Sequence, residues 1–127
     1  MRALDRLRGI RVVADPASLD RATWHGHDVT VLRFAPDDAF GVGAQAIDVD
    51  DEHAIVEDEA GFVGTWLDPA EIEPHTEWPF PTDRPALAQG SIAGVPAKLW
   101  LPAGGDALLL TAAAYADELA TRLGWRP

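Results

Sequence analysis

The sequence predicts an α+β fold, in which a mainly antiparallel sheet of about five or six strands carries a C-terminal helix and a short second helix. Two apolar runs, 87–92 and 95–101, are separated only by Ala93-Gly94, which is the spacing of a β-hairpin with a two-residue turn. Farther on, apolar residues within 115–123 recur at the spacing of one helical face. The length suits a single domain over 1–127 with a substantial core.

A third strand and a closing helix are predicted after the hairpin. The segment 102–106 contains a proline and two glycines that suit a second chain reversal, and 107–110 is short and wholly apolar, as a central strand would be. Thr111 is a candidate N-cap for the helix, and Gly124 stands where a left-handed C-cap belongs. We therefore expect three neighbouring strands with the helix packed on them.

The first half of the chain predicts strands with less regular boundaries. Residues 2–9 are predicted to form a short helix and residues 10–13 a brief strand. The rest of the irregular N-terminal segment, 1–22, is predicted to be loop or a single helical turn after Pro16. A strand is predicted over 24–34, which is rich in β-branched and aromatic residues. After a turn containing Pro36, residues 40–46 are expected to pair back as the second arm of a hairpin.

Two shorter strands and a short helix are predicted in the middle of the chain. The strands cover 53–57 and 62–67, with Asp58-Glu59 in a charged turn between them. Asp68 is then placed as an N-cap and Pro69 as the first residue of a helix of one or two turns.

Composition and charge exclude several classes of protein. The net charge is −11, and fourteen of the twenty-one acidic residues lie between Arg33 and Arg84, where no lysine or arginine occurs. This argues against nucleic-acid phosphate as a partner. The absence of cysteine excludes disulfides and thiolate sites. Because no stretch approaches the ~18 apolar residues of a membrane span, we expect a soluble, cytoplasmic protein with no membrane partner.

Two patterns resemble metal sites without completing one. His25 and His27 share one side of a predicted strand, although spacing alone does not select a third ligand. The acidic stretch 48–60 places carboxylates at four positions of a calcium loop, where a histidine replaces the required glycine. The carboxylates are Asp48, Asp50, Glu52 and Glu59, and the histidine is His53. With neither serine in a triad context, we predict no catalytic residue, no metal site and no cofactor bound by this chain.

Five tryptophans are more than a core of this size needs. Trp66 and Trp100 fall within predicted strands and are expected to be internal. Trp24, Trp78 and Trp125 lie at the ends of elements, where a large ring is often half covered, and aromatic rings are enriched at protein interfaces. These three are the predicted partner-binding residues.

The C-terminal part of the sequence resembles a known family. The order AQGSIAGVPAKLWL, then ALLL, then AYADELATRL is similar to the gamma subunit of heterotetrameric sarcosine oxidase, which is related to folate-binding aminomethyltransferases. The likeness covers residues 53–125. The matching positions are Ala88, Gln89, Ile92, Ala93, Gly94, Val95, Pro96, Leu99, Trp100, Tyr115, Ala116, Asp117, Leu119 and Leu123.

The resemblance implies a non-catalytic small subunit that supports assembly of a sarcosine oxidase-type oxidoreductase. In that family FAD, FMN, NAD and tetrahydrofolate belong to partner subunits, so this chain would bind none of them and would act within a hetero-oligomer. The alternative is a free-standing protein-binding or regulatory domain of the same fold, as a hetero- or homo-oligomer, whose acidic stretch meets a basic protein.

Overall fold

The structure is a computed structural model that describes residues 2–125. These residues form seven strands, two α-helices and three 3₁₀ turns. The strands are β1 (Asp5–Val13), β2 (Thr23–Ala35), β3 (Asp38–Asp48), β4 (Ile55–Leu67), β5 (Ala86–Ile92), β6 (Val95–Leu101) and β7 (Ala107–Ala112). The helices are α1 (Pro16–Asp20) and α2 (Ala116–Arg122), and the 3₁₀ turns are Pro69–Glu71, Glu73–His75 and Ala113–Tyr115. The chain divides into two compact units, of which the first is Leu7–Gly61 and the second contains residues 2–6 and 62–125.

The first unit is an antiparallel arrangement built around the β2–β3 hairpin. Its strand order is β2-β3-β1-β4, and β3 pairs antiparallel with both β2 and β1. Helix α1 begins at Pro16, and the carboxylate of its N-cap Asp15 accepts a hydrogen bond from the Ser18 amide at 3.2 Å. Leu19 of this helix packs with Ile10 and Val12 in the buried cluster of the unit.

Arg11 joins two acidic residues of the first unit. Its guanidinium donates two parallel hydrogen bonds to Asp38, at 2.6 and 2.7 Å, and one to Glu59 at 3.0 Å. The hydrogen bonds to Asp38 raise the pKa of Arg11 above its ordinary value, although desolvation opposes them. The Cζ atom of Arg11 also lies 4.7 Å from the centre of the Phe34 ring. Glu59, which belongs to the acidic stretch, is therefore a strand residue bonded to another strand and does not lie in a turn.

The second unit has strand order β4-β7-β6-β5, with every neighbouring pair antiparallel. The predicted hairpin is confirmed. Ala93 and Gly94 have φ of 52° and 78°, as a type I′ turn requires, and Ile92 is paired with Val95. One face of these strands forms a buried cluster with Leu119 of α2 and with Leu123, the C-cap residue of that helix. The expected C-terminal helix thus lies against the expected strands.

The end of α2 follows the predicted C-cap. Gly124 has φ of 77°, its amide donates to the Thr121 carbonyl at 3.1 Å, and the Trp125 amide donates to Ala120 at 2.9 Å. These two hydrogen bonds form a Schellman motif, which satisfies carbonyls that a helix end otherwise leaves unpaired. No helix among residues 2–125 is both long enough and apolar enough to cross a membrane.

The fold class is confirmed as α+β with antiparallel strands, but several expected elements are wrong. Residues 2–125 form seven strands rather than five or six, residues 5–9 belong to β1 instead of a helix, and the segment predicted as irregular contains β1 and α1. Asp58-Glu59 lies inside the continuous strand β4. Thr111 is a strand residue whose hydroxyl donates to the Pro96 carbonyl at 2.7 Å, so it does not cap the helix.

A methyl group at Gly41 should destabilise the protein. A Cβ there would overlap the ring of Trp24, which lies on this glycine. We expect Gly41→Ala to lower the free energy of unfolding by about 1–3 kcal/mol, as overpacking does. The measurement is urea unfolding followed by tryptophan fluorescence. Gly104→Ala is the control, because nothing lies within 4 Å of a Cβ at that position. Equal stability of the two variants would contradict this packing.

Candidate functional site

The candidate site lies on the face of the second-unit strands that points away from the core. Side chains of a strand alternate between its two faces. Because Leu99 and Leu101 belong to the buried cluster with α2, Lys98 and Trp100 point to the opposite face. We call this the outer face. Residues paired across a ladder share a face, which extends the assignment to β4, β5 and β7.

One row of the outer face is apolar across all four strands. Trp66 on β4 is paired with Leu108 on β7. Leu108 is also paired with Trp100 on β6, which is paired in turn with Leu87 on β5. We call these four residues the aromatic row. Trp66 is 45% exposed and Trp100 is half-buried, so the row presents indole surface to solvent.

Charged residues surround this end of the strands. Three exposed carboxylates lie in the segments that follow β4 or precede β5 and β7. They are Asp68, Asp83 and Asp106. Arg2 donates two hydrogen bonds to Glu71, at 2.7 and 2.8 Å, and a third at 3.2 Å to the carbonyl of Trp66. The apolar row therefore has a polar rim, which is the usual anatomy of a protein interface.

Beside the aromatic row, the outer face contains a cleft of about 340 Å³. Large side chains of Phe62, Lys98 and Tyr115 line it together with the smaller residues Pro96 and Ala112. Phe62 is paired with Ala112 across the ladder, so a bulky residue stands next to a small one. The surface is concave at this point because small side chains lie between large ones. We call it the Lys98 cleft.

Lys98 is the single lysine of the sequence. It is half-buried, and its Nζ donates a hydrogen bond of 2.7 Å to Oε1 of Gln89, its neighbour across the ladder. Ser91 and Tyr115 add hydroxyl groups to the lining. The cleft thus combines one cation with an amide, hydroxyls and apolar walls. Among its described lining residues there is no histidine, carboxylate or thiol that could activate a nucleophile.

The three predicted partner-binding tryptophans do not form one patch in the described contacts. Trp24 belongs to the first unit, where its half-buried ring covers Gly41. Trp78 and Trp125 are half-buried in the second unit and both pack against its core cluster. Trp78 also donates from its indole nitrogen to the Ser91 carbonyl at 2.8 Å. Each ring has an intramolecular packing role, and a partner role for them stays a prediction.

The sequence reasoning missed the most exposed tryptophan. Trp66 was expected to be internal because it lies in an apolar run, and this prediction is wrong. The available signal was the alternation of strand side chains within 62–67. Val63 and Leu67 face the core, so Trp66 faces the opposite side. The run does not reveal which alternate residues face the core, because both sets contain large apolar side chains.

The residues of the metal-like patterns have other neighbours. His25 lies 2.7 Å from the Asp48 carboxylate, and His27 lies 3.2 Å from Asp28. Glu59 accepts a hydrogen bond from Arg11 on β1. In the described part of the chain, no group of three or more His, Cys, Asp or Glu residues is arranged to hold a metal ion.

The comparisons with known proteins do not assign the chain to a family. No family model, no curated protein and no solved structure matches it.

Asp51 should make the stability of the protein depend on pH. Its carboxylate accepts hydrogen bonds from the amides of Asp15 at 2.8 Å and His53 at 2.9 Å, which lower its pKa. A carboxyl whose pKa is lower in the folded state stabilises the fold above its unfolded pKa. That contribution is lost as pH falls through the folded pKa.

We therefore expect Asp51→Ala to be less stable than the unsubstituted protein near neutral pH, with a difference that shrinks in acid. Urea midpoints from pH 7 to pH 2.5 measure the difference, and carboxyl NMR titration gives the pKa of Asp51. Asp50→Ala is the neighbouring control. A stability difference independent of pH would contradict this role.

Proposed function

We propose that this chain is a non-catalytic small subunit that supports assembly of a flavin- and folate-linked oxidase of N-methyl amino acids, resembling the sarcosine oxidase gamma subunit. The observation that carries the proposal is the aromatic row, in which Trp66 is exposed and Trp100 is half-buried. Trp66 and Trp100 stand on either side of Leu108 in the ladder. Burying the exposed part of Trp66 in an interface would contribute about 2–3 kcal/mol.

Residues of the family-like pattern support this proposal because they fall into two groups. Gly94 forms the turn, while Leu99 and Leu119 are core residues with an architectural role. Pro96 and Trp100 instead belong to the outer face, where packing against α2 does not explain them. Partner contact would account for this second group.

The partner that fits is an oxidase subunit with an apolar patch and a basic rim. The whole chain has a net charge of −11, and Asp68 and Asp106 are exposed beside the aromatic row. Opposite charge at the rim would steer association and set orientation more than it would add affinity. In this proposal FAD, FMN, NAD and tetrahydrofolate are bound by partner subunits, this chain binds none of them, and the complex is cytoplasmic.

A second candidate is a free-standing protein-binding or regulatory domain. The observation that favours it is the acidic stretch 48–60, in which Asp48, Asp50, Glu52 and Glu57 are exposed. Such a surface would bind a basic protein with an affinity that falls as salt is added. The assembly proposal depends instead on apolar burial and should tolerate salt. Adjacent genes for large oxidase subunits would favour assembly.

Substitution in the aromatic row should separate assembly from folding. We expect Trp66→Ser to remove a yellow, sarcosine-oxidising flavoprotein from material purified with the tagged chain in its native host. Because more than half of the Trp66 side chain is already covered, Trp66→Ser should also lower the unfolding free energy of the isolated chain, by about 1–3 kcal/mol, and leave it folded. The measurements are the flavin spectrum of the purified complex and urea unfolding of the isolated chain.

Ile55→Ser is the matched control, since Ile55 is a 56% exposed apolar residue of β4 outside the aromatic row. It should leave the amount of flavoprotein unchanged and alter the unfolding free energy by less than about 1 kcal/mol. If Trp66→Ser retains the full amount of flavoprotein, the aromatic row is not the docking surface. If the unsubstituted chain purifies without any flavoprotein, the oxidase proposal itself is wrong.

A further inference from the structure

We propose that the Lys98 cleft binds a small organic anion with a flat apolar body, of the class of aromatic carboxylates. This site is separate from the aromatic row, and the inference does not rest on the oxidase proposal. The cleft lies over the rows of the outer face that contain Lys98 and Phe62.

The polar end of the ligand is specified by Lys98. The Gln89 amide oxygen holds its ammonium group at 2.7 Å, which orients the amine within the cleft. An ammonium carries three N–H donors, so a hydrogen bond to Gln89 is compatible with another to a bound carboxylate. The hydroxyls of Ser91 and Tyr115 line the same cleft and can donate to the second oxygen. The cation of this cleft has no carboxylate among the described residues that line it, whereas Arg21 and Arg8 share their clefts with acidic residues.

The body of the ligand is specified by the remaining lining. Phe62 offers an aromatic ring, and Pro96 and Ala112 offer small apolar surfaces. Known ligand sites combine predominantly apolar walls with a few polar groups that fix orientation. At about 340 Å³ the cleft is near the lower limit of such sites, so it suits a ligand of roughly one ring with its carboxylate.

The test compares a carboxylate with its neutral isostere. Titration of 4-fluorobenzoate and of 4-fluorobenzamide into the protein, followed by fluorine NMR of the ligand, should show saturable binding of the carboxylate. The amide should bind about tenfold or more weakly, because it lacks the charged hydrogen bond to Lys98. Selective ¹³C labelling of lysine places one lysine Cε signal on the protein and leaves the ammonium unmodified, since Lys98 is its single lysine. That signal should shift with carboxylate and shift far less with amide at the same concentration.

Substitutions test the two ends of the site separately. Lys98→Met should lower carboxylate affinity about tenfold or more, while Lys98→Arg keeps the charge and should retain binding. Ala112→Leu should block carboxylate and amide alike by filling the cleft. Arg84→Met removes an exposed cation outside the cleft and should bind as the unsubstituted protein does. Unfolding curves establish that each variant is folded.

Three results would overturn the inference. The first is equal binding of carboxylate and amide, and the second is carboxylate binding that survives Lys98→Met in a folded variant. The third is an equal shift of the Lys98 signal by inorganic phosphate, which would make the site one for any anion. None of these outcomes depends on whether a flavoprotein partner exists. The ligand-binding test can therefore reject the cleft proposal while the assembly proposal stands, and the reverse also holds.

Discussion

The register of the β5–β6 hairpin is the constraint on which the second unit depends. The two-residue turn at Ala93-Gly94 pairs Ile92 with Val95 and thereby fixes every later pair. Because side chains alternate with a period of two, a slip of one residue would exchange the faces of a strand. Leu99 would then leave the core, and Lys98 would enter it. The same turn thus determines both the core and the candidate site.

The helix reinforces this register from the core side. Arg122 of α2 donates a hydrogen bond of 3.0 Å to the carbonyl of Ala93, in the turn itself, and another of 2.6 Å to Glu118. Leu119 and Leu123 pack against the strands on the face occupied by Leu99. Since α2 covers this face, a ligand or partner of these strands has to approach the outer face. The candidate site and the core therefore lie on opposite faces of the same strands.

The sequence predicts well those elements whose determinants are local. The Ala-Gly turn and the Gly124 C-cap are each specified by a few adjacent residues, and both are found. Residues 5–9 of β1 are wrongly predicted as helix because the burial pattern of this strand becomes clear only in Ile10 and Val12, while pairing with β3 decides its conformation. Likewise, Glu59 is accommodated inside β4 by Arg11, a contact between residues far apart in sequence. The exposed Trp66 and the Lys98 cleft depend on such pairing across strands.

The aromatic row and the Lys98 cleft are neighbours, so that binding at one would change the affinity of the other. Trp100 belongs to the row, Lys98 belongs to the cleft, and they are two positions apart on the same face of β6. A partner that covers the row would contact the edge of the cleft, so ligand and partner would each alter the other's affinity by the same factor. A bound carboxylate would offset the positive charge of Lys98 beside a basic partner rim. Ligand binding would therefore favour docking of a basic partner rather than oppose it.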